Sequence, residues 1–178
     1  MNLTKHTIIC DLDGTIADLS HRLHYIKNNE GELKESPDWA GFEKACIDDK
    51  PIYDVIDIVK LLWSGDQTHN PPIRNLKFFT GRSNITRKST EDWLLKNFFR
   101  ISRVSKEQED ILSKFDVTLT MRNENDYRED AQVKLEMVRA FGLNPDNVLC
   151  IFEDRKSVVD MWRRHGYRVL QISNCRFS

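Results

Sequence analysis

Short apolar runs alternate with segments of helical spacing along most of this chain. The runs are Thr7–Cys10, Leu76–Phe79, Val117–Thr120, Val148–Phe152 and Arg168–Ile172, and each reads as a strand. Between them, Asp54–Ser64 carries apolar residues on a broad face and ends at Gly65, a residue type that commonly stops helices. Asn84–Phe99 places Trp93, Leu94 and Phe98 on one stripe, and Ala131–Phe141 runs into Gly142 and Pro145. Val158, Val159, Met161 and Trp162 precede Gly166 in the same manner. These large apolar side chains are assigned to the core. Strands that alternate with helices predict an α/β fold, a parallel sheet covered by helices.

Two polar stretches interrupt the alternation. His21–Asp49 reads as two short helices broken at Gly31-Glu32 and Ser36-Pro37, and Ser102–Ser113 reads as an exposed helix or insertion. No internal repeat, low-complexity tract or interdomain linker is visible.

Composition narrows the picture. With 178 residues and 39% hydrophobic content, the chain is expected to form one domain over 1–178. No apolar run is long enough to cross a bilayer and the first residues lack a signal-peptide pattern, so no membrane partner and a cytoplasmic location are expected. Cys10, Cys46, Cys150 and Cys175 have no metal-ligand or redox spacing and read as reduced and structural. A net charge of -1 argues against a protein that coats long nucleic acid, while leaving room for recognition of one phosphate. Arg155, Lys156, Arg163 and Arg164 form either a positive mouth or a solvated helix face.

The chemistry concentrates where strands end. Thr7–Cys10 runs directly into Asp11-Leu12-Asp13-Gly14-Thr15. Two carboxylates two positions apart share one face of an extended chain, and Gly14 lets the backbone turn sharply after them. Such a pair can hold a hard cation through oxygen, and one member can attack phosphorus. Leu76–Phe79 runs into Thr80-Gly81-Arg82, which can offer a phosphate a hydroxyl, backbone amides and a bidentate guanidinium. Val148–Phe152 ends in Glu153-Asp154. Carboxylates drawn together at such strand ends repel unless a cation lies among them, and oxygen ligands with a phosphate substrate favour magnesium over zinc. Lys134 begins an apolar stripe with Met137, Val138 and Phe141, which points its ammonium inward toward an anionic partner. Asp130 is either the N-cap of that helix or a group that orients Lys134 or Arg128.

Taken in order, Asp11-Leu12-Asp13-Gly14-Thr15, Thr80-Gly81-Arg82, Lys134 and Glu153-Asp154 resemble the four motifs of the haloacid dehalogenase phosphatases. More narrowly, the tail EDRKSVVDMWRRHGYRVLQIS, the TGR segment, the spacing from Arg128-Glu129-Asp130 to Lys134, and Arg22 are similar to the 3'-phosphatase domain of bacteriophage polynucleotide kinases. The resemblance implies a Rossmann-like core over about 1–17 and 51–178, with a small helical cap at about 18–50. It implies Asp11 as the nucleophile that becomes an aspartyl-phosphate, Asp13 as general acid and base, and Thr80 and Lys134 as phosphate holders. Asp11, Asp13, Asp154 and Glu153 would hold Mg2+, and Arg22, Gly81, Arg82 and Asp130 would serve the substrate. Two departures stand out: Glu153 replaces the first of the family's paired aspartates, and the Ser102–Ser113 stretch is longer than the family pattern.

The function expected is therefore a magnesium-dependent phosphomonoesterase that acts on phosphorylated nucleic-acid ends, most narrowly a polynucleotide 3'-phosphatase in end repair. A 5'- or 3'-nucleotidase acting on free nucleoside monophosphates is the alternative enzyme, and a non-catalytic phosphate-end binder is the alternative of another class. The chain lacks Gly-x-x-x-x-Gly-Lys-Ser/Thr, so no kinase activity is expected of it. A separate kinase or ligase, a homo-oligomer, and a host cytoplasm for a phage-encoded protein are left open as partners and setting.

Overall fold

The structure, a computed structural model, describes residues 7–64, 75–101, 112 and 117–172. Strand β1 (Thr7–Cys10) is buried at all four positions and takes the centre of a five-stranded sheet. Its alternating side chains explain the unbroken apolar run. Ile8 and Cys10 face a cluster containing Ile56, Trp93 and Phe98, whereas Ile9 faces a second cluster containing Val138, Val158 and Trp162. A strand covered on both sides has no solvent face on which polar residues would be favoured.

A small ribbon follows, in which β2 (Ala17–Asp18) pairs antiparallel with β3 (Lys50–Pro51). The sheet then adds β4 (Asn75–Ser83), β5 (Val117–Arg122), β6 (Val148–Glu153) and β7 (Val169–Gln171) in the order β5-β4-β1-β6-β7, every pair parallel. The chain thus moves outward from β1 through β4 and β5, then returns across β1 to β6 and β7. In sheets wound this way, ligands bind beyond the carboxyl ends near the point of reversal.

All five expected strands are present, but β4 is longer than its apolar run. It continues through Thr80-Gly81-Arg82 to Ser83, and its register against β5 shifts between Thr80 and Ser83. The expected turn is therefore a bulged strand end, which re-aims the Arg82 side chain. Helices α2 (Tyr53–Ser64), α4 (Asp130–Ala140) and α5 (Lys156–Arg164) match expectation closely. The expected helix over Asn84–Phe99 is instead a 3-10 turn at Asn84–Thr86, helix α3 (Arg87–Trp93) and a wider π turn at Leu94–Phe98. Trp93, Leu94 and Phe98 still reach the core.

Between β2 and β3, the two short helices are a 3-10 turn at Ser20–Tyr25 and α1 (Trp39–Lys44), with a further 3-10 turn at Ala45–Asp48. Asp38 caps α1 by accepting a hydrogen bond from the Gly41 amide at 2.8 Å. Cys10, Cys46 and Cys150 are buried free thiols. Gly65, Cys175 and nearly all of Ser102–Ser113 fall outside the described residues.

Gly14 makes the turn between β1 and β2 possible. Its φ is +83°, and a Cβ there would lie 2.1 Å from Asp154 Oδ2. Gly31 has nearly the same φ, +84°, but open space around it. Gly31→Ala is expected to cost only the left-handed backbone strain, about 1–2 kcal/mol, and Gly14→Ala distinctly more in urea unfolding. Equal costs would show that Asp154 moves aside freely.

Candidate active site

The site grows from the end of β1. The Asp11 amide donates to the Phe152 carbonyl at 3.0 Å, which extends the pairing with β6 by one residue and locks the Asp11 backbone in place. Its carboxylate is 5% exposed as part of the residue, and each oxygen has a partner. Oδ1 accepts from Lys134 Nζ at 2.7 Å and Oδ2 from the Thr15 hydroxyl at 3.2 Å. Asp13 lies past the strand and turns to different cations. Its Oδ1 accepts from Arg22 Nη2 at 2.6 Å and from Arg82 Nε at 2.9 Å and Nη2 at 2.5 Å. Both aspartates line one cavity of about 640 Å³.

Lys134 is 2% exposed and stands among three acids. Besides Asp11, it reaches Glu153 Oε2 at 2.8 Å and Asp130 Oδ2 at 3.2 Å. Burial opposes its charge, but Asp11, Asp130 and Glu153 outweigh burial and hold the ammonium charged. Burial pushes Asp11 up to about 7 against the pull of Lys134, and burial together with Asp11 raises Asp154 to about 6. Asp13 goes the other way: burial would raise it, yet Arg82 and Arg22 prevail and keep it below the ordinary carboxylate range.

Asp11, Glu153 and Asp154 each bring a carboxylate oxygen within 4.8 Å of the others, a group able to hold a metal ion. Asp13, expected as a fourth metal carboxylate, is not in this group because Arg22 and Arg82 claim its side chain. Glu153, the residue that departs from paired aspartates, spans the extra length to Lys134 and accepts from the Arg155 amide at 3.2 Å through its other oxygen. Both oxygens of Glu153 have partners, as both oxygens of Asp11 do, so a cation bound by this group would share or replace those hydrogen bonds.

Other expected residues divide. Gly81 lines the cavity, and a Cβ on it would come within 2.5 Å of Asp130 Oδ1. Asp130 is not an N-cap; Glu129 precedes the helix, while Asp130 pairs with Lys134 and Arg122. Arg128 is held by Asp126 and Glu136 instead. Thr80 is fully buried, does not line the cavity, and accepts the Arg82 amide at 3.2 Å. Of the basic group after β6, Arg155 lines the cavity, whereas Lys156 pairs with Asp160 one helical turn away on an exposed face.

Three contributors escaped the sequence reading. Thr15 was part of the motif but had no assigned role. Arg122 ends β5 as Arg82 ends β4, a signal that strand-end reasoning could have used. Its guanidinium ties Gly81, Asp126, Arg128 and Asp130 together. Asp49, in an unremarkable Asp-Asp-Lys-Pro segment, is 3% exposed and binds both Arg22 and Arg82.

Comparison with known proteins places this arrangement. Residues 5–177 match the family model of the polynucleotide kinase PNKP phosphatase domain. An Autographa californica nuclear polyhedrosis virus protein, provisionally described as a bifunctional polynucleotide kinase/RNA ligase, is 30% identical over 88% of this chain. A chain in the Pnkp1/Rnl/Hen1 RNA repair complex superposes with a TM-score of 0.66 over 97% of this chain at 25% identity. The chain spans only 17% of the viral relative and 44% of the repair-complex chain. A haloacid dehalogenase-like hydrolase of Streptococcus pneumoniae shares the fold, with a TM-score of 0.58 at 16% identity over 97% of this chain and 89% of that one. The strand-end Asp11, the buried lysine and the arginine-clamped Asp13 therefore sit in a chain that belongs to the polynucleotide kinase PNKP phosphatase-domain family.

Proposed function

We propose that this phosphatase removes 3'-phosphates from nucleic-acid ends through an aspartyl-phosphate on Asp11. The observation that carries the mechanism is the division of two neighbouring carboxylates between different cations. Asp11, held by Lys134 and Thr15, supplies the attacking oxygen at the cavity floor. Its bond to phosphorus forms as the bond from phosphorus to the sugar oxygen breaks, and that oxygen takes a proton from Asp13. Water then attacks phosphorus and gives its proton to Asp13 as the bond from phosphorus to the Asp11 oxygen breaks, which frees inorganic phosphate and restores the Asp11 carboxylate. The anionic Asp13 of the structure is the form needed for this second half. In the first half, the incoming phosphate brings negative charge beside Arg22 and Arg82, which offsets their pull and favours a proton on Asp13. Oδ1 of Asp13 is occupied by guanidinium donors, so Oδ2 is the oxygen available to carry that proton.

Magnesium suits an all-oxygen group with raised carboxylates, and Asp11, Glu153 and Asp154 would hold it. When bound, the ion supplies positive charge that offsets the phosphoryl oxygens.

The cavity walls favour a substrate that carries a base. Leu23, Ile26, Trp39 and Phe42 bring an apolar wall from the segment between β2 and β3 to the cavity, which Tyr127 also lines. Trp39 is 52% and Tyr127 89% exposed, so both rings remain open to a base, in a cavity also lined by Asp11, Asp13, Arg22 and Arg82. The RNA repair complex and the polynucleotide kinase/RNA ligase among the relatives support the same substrate class, and a separate kinase or ligase as a working partner.

Phosphate release from 3'- and 5'-phosphorylated oligonucleotides and from free mononucleotides tests this reading. Preference for the 3'-phosphorylated end is expected; activity confined to mononucleotides would make the protein a nucleotidase. Asp11→Asn should lower kcat by more than about a thousandfold with the fold retained by circular dichroism. Replacing Trp39 and Tyr127 with alanine should raise KM for an oligonucleotide, since stacking contributes about 1–3 kcal/mol per base. Hydrolysis of p-nitrophenyl phosphate should be nearly unchanged.

The raised carboxylates set a pH dependence. Folded Asp11 and Asp154 keep protons to about 7 and about 6, against 3.8 ordinarily, so without metal their burial costs stability as pH rises through that interval. Magnesium must displace those protons. The rise in unfolding temperature with magnesium is therefore expected to be larger at a pH well above 7 than at one below 6, and an equal rise at both would place the ion elsewhere.

A further inference from the structure

Among the described residues, Asp49 is the one deeply buried acid beside the site that touches neither the cavity nor Lys134. Its side chain is completely buried, and it does not line the cavity, so it cannot meet substrate. Yet both carboxylate oxygens accept hydrogen bonds from the site's arginines. Oδ1 accepts from Arg22 Nε at 2.7 Å, and Oδ2 accepts from Arg22 Nη2 at 2.8 Å and Arg82 Nη2 at 2.7 Å. His21 Nε2 lies 3.0 Å from Oδ1 on the outer side.

These contacts form a closed lattice. Arg22 Nη2 and Arg82 Nη2 each bridge the same two oxygens, Oδ1 of Asp13 and Oδ2 of Asp49. Two guanidiniums brought this close repel one another, and one carboxylate balances only half of their charge. Asp49 supplies the other half from behind. It is also anchored to the core, because its carbonyl accepts the Trp93 indole N–H at 2.7 Å. Arg22 is further restrained by the Phe42 ring, 4.1 Å from its guanidinium carbon.

We propose that Asp49 is a positioning residue that keeps Arg22 and Arg82 in place while Asp13 gives up and regains its proton. Asp13 cannot by itself hold two guanidiniums at the moment it becomes neutral. With Asp49 fixed behind them, the arginines stay as a charge-balanced pair at the cavity and do not collapse onto Asp13 or the phosphate. The role rests on the phosphatase reading above and gives the last residue of the segment between β2 and β3 a share in the chemistry that acts through Arg22 and Arg82.

Asp49→Asn tests it, because the amide keeps the shape and removes the charge. The decisive comparison is between p-nitrophenyl phosphate, whose leaving phenolate needs no proton, and a 3'-phosphorylated oligonucleotide, whose leaving alkoxide does. The expected result is a kcat loss at least tenfold greater on the oligonucleotide, with KM not raised, and severalfold tighter binding of inorganic phosphate by calorimetry. Equal losses on both substrates, or wild-type kcat on the oligonucleotide, would overturn the proposal. Should Asp49→Asn fail to fold, Arg22→Lys takes its place, since a lysine cannot bridge Asp13 and Asp49 in the same way, and the same leaving-group-selective loss is expected. Were the wild-type protein to release phosphate from neither substrate, the phosphatase reading would fall, while the effect of Asp49 on the arginine pair would still be read from phosphate binding.

Discussion

The site depends on the pairing of buried charge. Lys134, Arg22 and Arg82 are at most 5% exposed, and a cation so far from water is tolerable only where carboxylates surround it. The acids fall into two sets that meet at Asp11-Leu12-Asp13. Asp11, Asp130 and Glu153 surround the lysine; Asp13 and Asp49 alternate with the arginines. Leu12 between them is fully buried and pins the short segment to the core. One turn of chain thereby presents two carboxylates of the same type with opposite tendencies, Asp11 raised and Asp13 lowered. Burial raises Asp11 against the pull of Lys134, whereas at Asp13 the two arginines outweigh burial, so the difference comes from the balance of burial and positive charge at each acid.

The sheet makes those meetings possible. β1, β4, β5 and β6 are parallel, so their carboxyl ends deliver Asp11, Arg82, Arg122 and Glu153 to one edge. Close approach at that edge leaves no room for side chains at Gly14 or Gly81, each of which faces a carboxylate. The bulge at the end of β4 matters for the same reason, since it turns Arg82 toward Asp13 and Asp49. The segment between β2 and β3 is small but contributes on two levels. It supplies Arg22 and Asp49 to the charge lattice and an apolar wall to the cavity above it.

That combination joins family membership to specificity. A charged floor is common to chemistry on any phosphate monoester, whereas an apolar wall with open aromatic faces selects what the phosphate is attached to. The segment that shapes the wall also holds the arginines. Arg22 and Asp49 belong to the same segment as Trp39 and Phe42, so on the proposed function a change to the wall also bears on the arginine pair.

How much of this was legible in the sequence follows from the range of the interactions involved. The strands were visible because a two-sided buried strand must be apolar throughout, and Asp11, Asp13, Gly81, Arg82, Glu153 and Asp154 were visible because they stand immediately after such runs. Lys134 was visible from its place on an apolar stripe. Pairing decided the rest. Whether an acid holds a metal, a lysine or an arginine depends on partners as distant as the 123 positions between Asp11 and Lys134 or the 33 between Asp49 and Arg82. Asp49 looks like part of a solvated turn because nothing local distinguishes a buried aspartate from an exposed one. The guanidiniums that meet Asp13 are likewise invisible to carboxylate spacing alone. Local periodicity reports the sheet and the residues at its edge, and only the folded chain determines which opposite charges lie within hydrogen-bond distance.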